Sequence, residues 1–416
     1  MLRFASLKGM ILIMKKHIIS LLVIVLILFS EVVYAAEEEK ETVDVEEIVE
    51  EIEQASSTSV DTPNINSRAA IVIERNSQIP IYEKNSNERR KMASTTKIMT
   101  SIIVVERGNL EETVIVSKKA GGTGGSRLGL KAGDKVKVKD LLYGLMLCSG
   151  NDAAVALAEH IGGSVENFAE LMNKKAEELG LKNTHFVTPH GLDEEEHYTT
   201  AYELATLTNY ALNIPEIAKI VRTERYTVWI NGYAKEIRNT NELLGYLDGV
   251  YGVKTGFTNG ANRCLVTAVK RGDLDIICVV LGADTKKYRT KDSIQLIEYA
   301  FKNYEIVPME ESIEKAFHYW KAQNEKRIKV FKGMQSYPNL VLDKIPYSIY
   351  PLKKGQKDKV KIEIESIKEI EAPVEKQLEI GKLTIKAEGK ELFQVNILTE
   401  NEIARKNIWD YFKENI

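Results

Sequence analysis

Ser94 and Lys97 stand three residues apart in the stretch KMASTTKIMT, residues 91–100. On a helix that spacing puts both side chains on one face. A serine hydroxyl is a weak nucleophile until a base takes its proton. A lysine can be that base only if its ammonium is destabilised, and burial among Ile98, Met99 and Ile102 would do so. The spacing predicts an apolar helix from Ser94 to Glu106, with Ser94 in its first turn, where the helix dipole favours a developing alkoxide. Alone the pattern is common, and the start of a surface helix explains it equally well.

Two distant stretches alter that balance. Ser149-Gly150-Asn151 interrupts the apolar run DLLYGLMLCSGNDAAVALAEHIG that begins at Asp140. Polar side chains at such a helix junction can point into a cleft, although Asn151 would also serve as an ordinary helix cap. Lys254-Thr255-Gly256 lies in YGVKTGFT, a short strand. Lys supplies positive charge, Thr a hydroxyl, and Gly lets a substrate approach the backbone closely. Its plain alternative is a strand end with a solvated lysine.

In the order SxxK, SxN, KTG, the three stretches form the signature of the penicillin-recognising serine acyl-transferases. The phrases GGSRLGLKAGDKVKVKDLLYGLMLCSGNDAAVALAEHIGGS and LGLKNTHFVTPHGLDEEEHYTTAYELA resemble the D-alanyl-D-alanine carboxypeptidases, low-molecular-mass penicillin-binding proteins of the S11 peptidase type. APVEKQLEIGKLTIKAEGKE resembles their second domain, so the likeness runs over residues 68–416.

The resemblance implies a role for each matching residue. Ser94 is the acylated nucleophile and Lys97 its general base. Ser149 and Asn151 shuttle protons and hold the substrate backbone. Lys254 and Thr255 anchor the terminal carboxylate, Gly256 lets the substrate approach the strand, and Arg289 of KKYRTKD is the carboxylate-binding arginine. The backbone N–H groups of Ser94 and Phe257 form the oxyanion hole. Some relatives carry histidine at the position of Phe257, where only the backbone is needed. The implied reaction removes the terminal D-alanine from a peptidoglycan stem peptide, and β-lactams, which mimic that dipeptide, would acylate Ser94. A serine β-lactamase of the same fold is the nearest alternative, but this chain has no SDN loop, no ExxLN-like phrase and an extra β domain. A non-catalytic wall-binding protein is the other.

These residues need elements to hold them. RAAIVIER and IPIYEKN predict one β-hairpin, and CLVTAVK and LDIICVVLGA a second. Helices are expected on both sides of Ser149-Gly150-Asn151, over SVENFAELMNKKAEELGL ending at Gly180, over AYELATLTNYALN stopped by Pro215, and over KDSIQLIEYAFKNY. Strands at both ends and helices between give an α/β (α+β) domain with a largely antiparallel sheet and a helical cluster. Past residue 306 short runs alternate with period two, as in Val360, Ile362 and Ile364, which reads as a small all-β domain.

The expected divisions are a signal peptide over 1–35, a solvated acidic linker over 36–66, a catalytic domain over 67–305, the β domain over 306–399 and an amphipathic terminal helix over 400–416. Lys15 and Lys16, the apolar run Ile18–Phe29 and the small-residue end at Ala35 have the layout of a secretory signal. That run is too short for a span of roughly twenty residues. Export to the outer face of the cell membrane or the wall follows as an expectation. In the linker, EEEKETVDVEEIVEEIEQ carries ten acids against one lysine, although Val45, Ile48, Val49 and Ile52 keep helical spacing. In the tail NEIARKNIWDYFKENI, Ile403, Ala404, Ile408, Tyr411 and Phe412 share one helix face with Trp409 beside it, and that face is expected to touch a membrane surface.

The 416 residues are 44% hydrophobic with a formal net charge of −3, and no basic stripe asks for nucleic acid. The three cysteines, Cys148, Cys264 and Cys278, are expected free. No cofactor or metal is expected, because there is no CxxC or HExxH and the histidines show no ligand spacing.

Overall fold

The computed structural model describes residues 43–56 and 62–414, and divides the chain into two compact units. Of the described residues, the first takes in those up to 72, 82–270 and 277–297; the second takes in 73–81, 271–276 and those from 298. The signal-like segment lies outside the described residues.

The segment expected to be a solvated linker contains a helix, α1 (Val45–Ser56), capped by Asp44, whose Oδ1 accepts from the amides of Glu46 (3.0 Å) and Glu47 (3.2 Å). Val45, Ile48 and Ile52 are buried. A free helix of about twelve residues is marginal in water, whereas burial of each such side chain contributes about 1.5–3 kcal/mol. The apolar face therefore decides the state, and its charge alone does not keep this segment solvated.

The hairpin β1 (Ala69–Glu74) and β2 (Pro80–Lys84) joins β7 (Val250–Thr258), β8 (Asn262–Arg271) and β9 (Leu274–Ala283) in a five-stranded sheet of order β2-β1-β9-β8-β7. Every residue of β1 and of β9 is buried, which suits runs that are apolar except for Glu74 and Asp275. The β7–β8 pair is antiparallel, and Lys254, Thr255 and Gly256 lie opposite Val266, Leu265 and Cys264. Strands from both ends of the 68–304 segment thus meet in one sheet, as the sequence predicts.

The helical cluster comprises α2 (Lys97–Arg107), α3 (Val138–Met146), α4 (Asn151–Gly162), α5 (Val165–Glu178), α6 (Ala201–Leu212) and α7 (Pro215–Val221). Pro215 opens α7 at its first turn rather than merely stopping α6. A second sheet of order β3-β4-β5-β6 is not visible in the sequence pattern: β3 (Thr113–Ile115) and β4 (Lys135–Lys137) have three residues each, and β6 (Tyr233–Arg238) has one buried residue, so no alternation marks it. Its remaining strand is β5 (Arg225–Ile230). The helix α8 (Lys286–Asn303) follows β9.

The second unit has the short β-strands expected of a small all-β domain, including a four-stranded sheet, over a core of Leu340, Ile380, Leu383, Ile385 and Ile397. A fifteen-residue helix, Glu310–Asn324, stands ahead of those strands and contributes Ile313 and Phe317 to that core. The terminal helix is shorter than the 400–416 expected from the sequence: it spans Ile408–Glu414. Ile403 is buried and bridges to Val374, so it serves the β core rather than an amphipathic helix face. No helix among the described residues is long and apolar enough to cross a membrane.

Candidate active site

Ser94 does not sit in the first turn of the α-helix. It lies in a 3-10 turn, Ala93–Thr96, that leads into α2. Ala93 has φ +48°, and the Thr95 and Thr96 hydroxyls donate back to the carbonyls of Met92 (2.6 Å) and Ala93 (2.8 Å). These side-chain bonds tighten the turn beyond α geometry. His197 holds Thr96 from outside, with Nε2 at 2.8 Å from its hydroxyl. Because His197 Nδ1 accepts the Val187 amide (3.0 Å), Nε2 carries the proton and donates. Burial lowers the His197 pKa to about 4, so the ring is neutral at pH 7.

Lys97 is fully buried and turned toward Ser94. Its Nζ is 2.7 Å from Ser94 Oγ, 2.7 Å from Asn151 Oδ1 and 2.9 Å from the His190 carbonyl. As an ammonium, Nζ donates to all three. As a neutral amine, its two N–H bonds satisfy the two carbonyl oxygens and its lone pair faces the serine hydroxyl. The same cage therefore serves both protonation states. Asn151 is held in register by its Nδ2, which donates to the Gly124 carbonyl at 2.8 Å.

The junction before α4 is built by strain and by a buried acid. Ser149 has φ +59° and is buried. Asp152, wholly buried, accepts the amides of Leu128, Gly129 and Leu130, each at 2.8 Å, which pins the facing loop. A Cβ on Gly150 would meet Asp152 Oδ1 at 2.9 Å and the Leu128 amide nitrogen at 3.0 Å.

Strand β7 forms the opposite wall. A Cβ on Gly256 would come within 3.2 Å of the Ser94 amide nitrogen, so the strand passes directly beside the nucleophile turn. Lys254 is buried, and the Thr255 hydroxyl is 2.8 Å from that of Thr240. The Arg263 guanidinium lies 3.8 Å from the Phe257 ring centroid, a cation–π contact. Ser94, Ser149, Thr255, Gly256, Phe257 and Arg289 all line one cleft of about 1300 Å³.

Arg289 does not face that cleft alone. Its guanidinium pairs with Glu242, which also accepts the Thr290 hydroxyl at 2.6 Å. Burial opposes ionisation of Glu242, but the Arg289 charge and the Thr290 hydroxyl prevail and hold its pKa below the ordinary range. Sequence reasoning missed Glu242, the His190 carbonyl and Asp193. Asp193 ties the 190–193 loop to the end of β7 by accepting the Thr258 hydroxyl and the Gly260 amide, each at 2.8 Å. All three cysteines are free; Cys264 and Cys278 are buried, with thiol pKa values raised by desolvation, and Cys148 borders the cleft.

The chain is similar to known proteins. Residues 56–285 match the family described as D-alanyl-D-alanine carboxypeptidase, and residues 318–405 match the C-terminal domain of penicillin-binding protein 5. The D-alanyl-D-alanine carboxypeptidase DacF of Bacillus subtilis is 37% identical over 84% of this chain and 89% of its own length. DacA of Escherichia coli K12 is 32% identical over 84% and 88%. The crystal structure of penicillin-binding protein 5 from Haemophilus influenzae superposes with a TM-score of 0.69 at 30% identity, covering 83% of this chain and all of that one.

Proposed function

The chain belongs to the D-alanyl-D-alanine carboxypeptidase family, and we propose that its cleft releases the terminal D-alanine of peptidoglycan stem peptides through an ester on Ser94. The observation that carries this reading is the 2.7 Å contact between a fully buried Lys97 Nζ and Ser94 Oγ, with Asn151 completing the set. As Ser94 Oγ attacks the carbonyl between the two D-alanines, its proton passes to neutral Lys97. The negative charge that forms on the carbonyl oxygen meets the backbone N–H groups of Ser94 and Phe257. Collapse breaks the peptide bond, and a proton relayed through Lys97 and Ser149 leaves on the D-alanine amine. Water then attacks the ester, with Lys97 again as base.

Lys254, Thr255 and Arg289 supply the positive and hydroxyl groups for the terminal carboxylate. A β-lactam carries the same carboxylate beside a strained amide, so it enters the same ester and is hydrolysed slowly. The test is intact-mass analysis after penicillin treatment, together with D-alanine release from a pentapeptide. Wild type is expected to gain one penicillin mass and to release D-alanine, and Ser94→Ala to do neither. Rapid penicillin turnover without D-alanine release would instead mark a β-lactamase.

Export to the outer face of the membrane is part of the proposal. It is supported by the basic, apolar and small-residue succession over 14–35, and peripheral membrane contact is supported by the exposure of Ile408 and Trp409. Fractionation of cells expressing the full chain, with and without residues 14–35, checks the first. Flotation with anionic vesicles, wild type against Trp409→Ser, checks the second.

A further inference from the structure

Helix α1 is seated against the catalytic unit in a way that its acidic composition does not require. Val45, Ile48 and Ile52 are buried on one face. On its flank, Glu51 reaches Lys287 (3.4 Å) and Lys291 (2.9 Å), and Glu47 stands 3.9 Å from Lys287. Both lysines belong to α8, the helix that also carries Arg289 into the cleft. At the other end of α1, residues Val43 to Glu46 line the same continuous cleft as Ser94.

We propose that α1 is a fixed wall of the substrate cleft, fastened through Lys287 and Lys291, and that it selects substrates by bulk. It admits a single loose stem peptide and obstructs the peptides of cross-linked strands. The proposal rests on the carboxypeptidase reading for its substrate. Three observations carry it together. The apolar seat shows that the helix is docked rather than solvated. The ion pairs fix its rotation toward α8. The position of Val43 to Glu46 makes the docked helix a boundary of the reacting volume rather than a distant ornament. On this proposal, a peptide joined to a second strand is the bulk that the wall excludes. The ion pairs are partly exposed, so salt weakens them, and reversing both lysines turns them into repulsion against Glu47 and Glu51.

The experiment uses the full mature chain in four forms: wild type, Ile48→Asp, Lys287→Glu with Lys291→Glu, and that pair combined with Glu47→Lys and Glu51→Lys. None of these residues belongs to the reacting groups. D-alanine release is measured on a soluble tripeptide ending in D-Ala-D-Ala and on insoluble cross-linked peptidoglycan. Acylation of Ser94 is timed with a small penicillin and with one carrying a bulky dye. Unseating α1 is expected to raise the polymer-to-tripeptide rate ratio several-fold, and the bulky-to-small acylation ratio with it. The fourfold reversal should return both ratios toward wild type. Equal ratios in all forms, or a fall on both substrates alike, would overturn the wall. If Ile48→Asp fails to fold, the surface lysine pair still decides. If wild type releases no D-alanine from either substrate, the carboxypeptidase reading fails, and the two acylation rates alone judge the wall.

Discussion

Lys97 gains its chemistry from what surrounds it rather than from its position in a motif. Three oxygens converge on Nζ, from Ser94, Asn151 and His190, and they suit both the charged and the neutral amine. Lys97→Met keeps the length and apolar packing but removes the base. Ser94 acylation by penicillin is expected to slow by about 10²–10⁴-fold, the usual share of a positioned general base. Stopped-flow acylation reads this directly, and an unchanged rate would remove Lys97 from the mechanism. His197 gives a prediction in pH. Its folded pKa is about 4 against an ordinary 6.5, so the folded protein binds fewer protons than the unfolded chain between those values. The stability from keeping this ring neutral is whole above pH 6.5 and is lost as pH falls toward 4, at up to about 1.4 kcal/mol per pH unit. His190 is lowered in the same direction by burial and by the Lys97 charge. Thermal melts of wild type should fall over this range, and His197→Gln should start lower at pH 7 but fall less.

At the scale of elements, the site depends on close approaches that only glycine permits. Gly191 has φ +86°, and a Cβ there would lie 1.9 Å from the Ala93 carbonyl oxygen, at the base of the nucleophile turn. Gly191→Ala must displace either the 190–193 loop or the Ser94 turn. Its left-handed conformation alone costs about 1–3 kcal/mol in a residue with a side chain. A lowered melting temperature together with slower penicillin acylation is expected; a normal rate would show that the loop yields without moving Ser94. Asp152 offers a second check. Asp152→Ala leaves the amides of Leu128, Gly129 and Leu130 without their acceptor, and a buried unpaired group costs about 1–3 kcal/mol. Such contacts mark the limit of what the sequence discloses. Ser94, Lys97, Ser149, Asn151 and the Lys254-Thr255-Gly256 strand were legible because their chemistry resides in side chains held within short local patterns. The His190 carbonyl was not, because a backbone acceptor has no residue signature. Nor was Glu242, which meets Arg289 only after the chain has folded across 47 positions. The 3-10 turn at Ser94 departs from the α-helix that the apolar spacing predicts, because Thr95 and Thr96 bond back to Met92 and Ala93, which no residue pattern marks.

For the molecule as a whole, the two hairpins and the central helices were visible from periodicity, whereas the sheet of β3 to β6 was hidden by short and exposed strands. The acidic segment carried two conflicting signals, its charge and its helical spacing of apolar residues, and burial of the apolar face prevails. The chain's two units have separate reasons to be stable. The second has its own contiguous apolar core, with Leu383 and Ile385 wholly buried among strand residues from the last hundred positions. None of the residues placed at Ser94 belongs to that core. Leu383→Asp puts a carboxylate where it can neither be hydrated nor paired, a change that costs several kcal/mol and exceeds what one small β core can absorb. Differential scanning calorimetry should then show the loss or lowering of one transition, while Ser94 still takes up penicillin at 25 °C. Loss of labelling in step with that transition would show instead that the chain unfolds as one cooperative body, in which the β unit is required to keep the nucleophile turn folded.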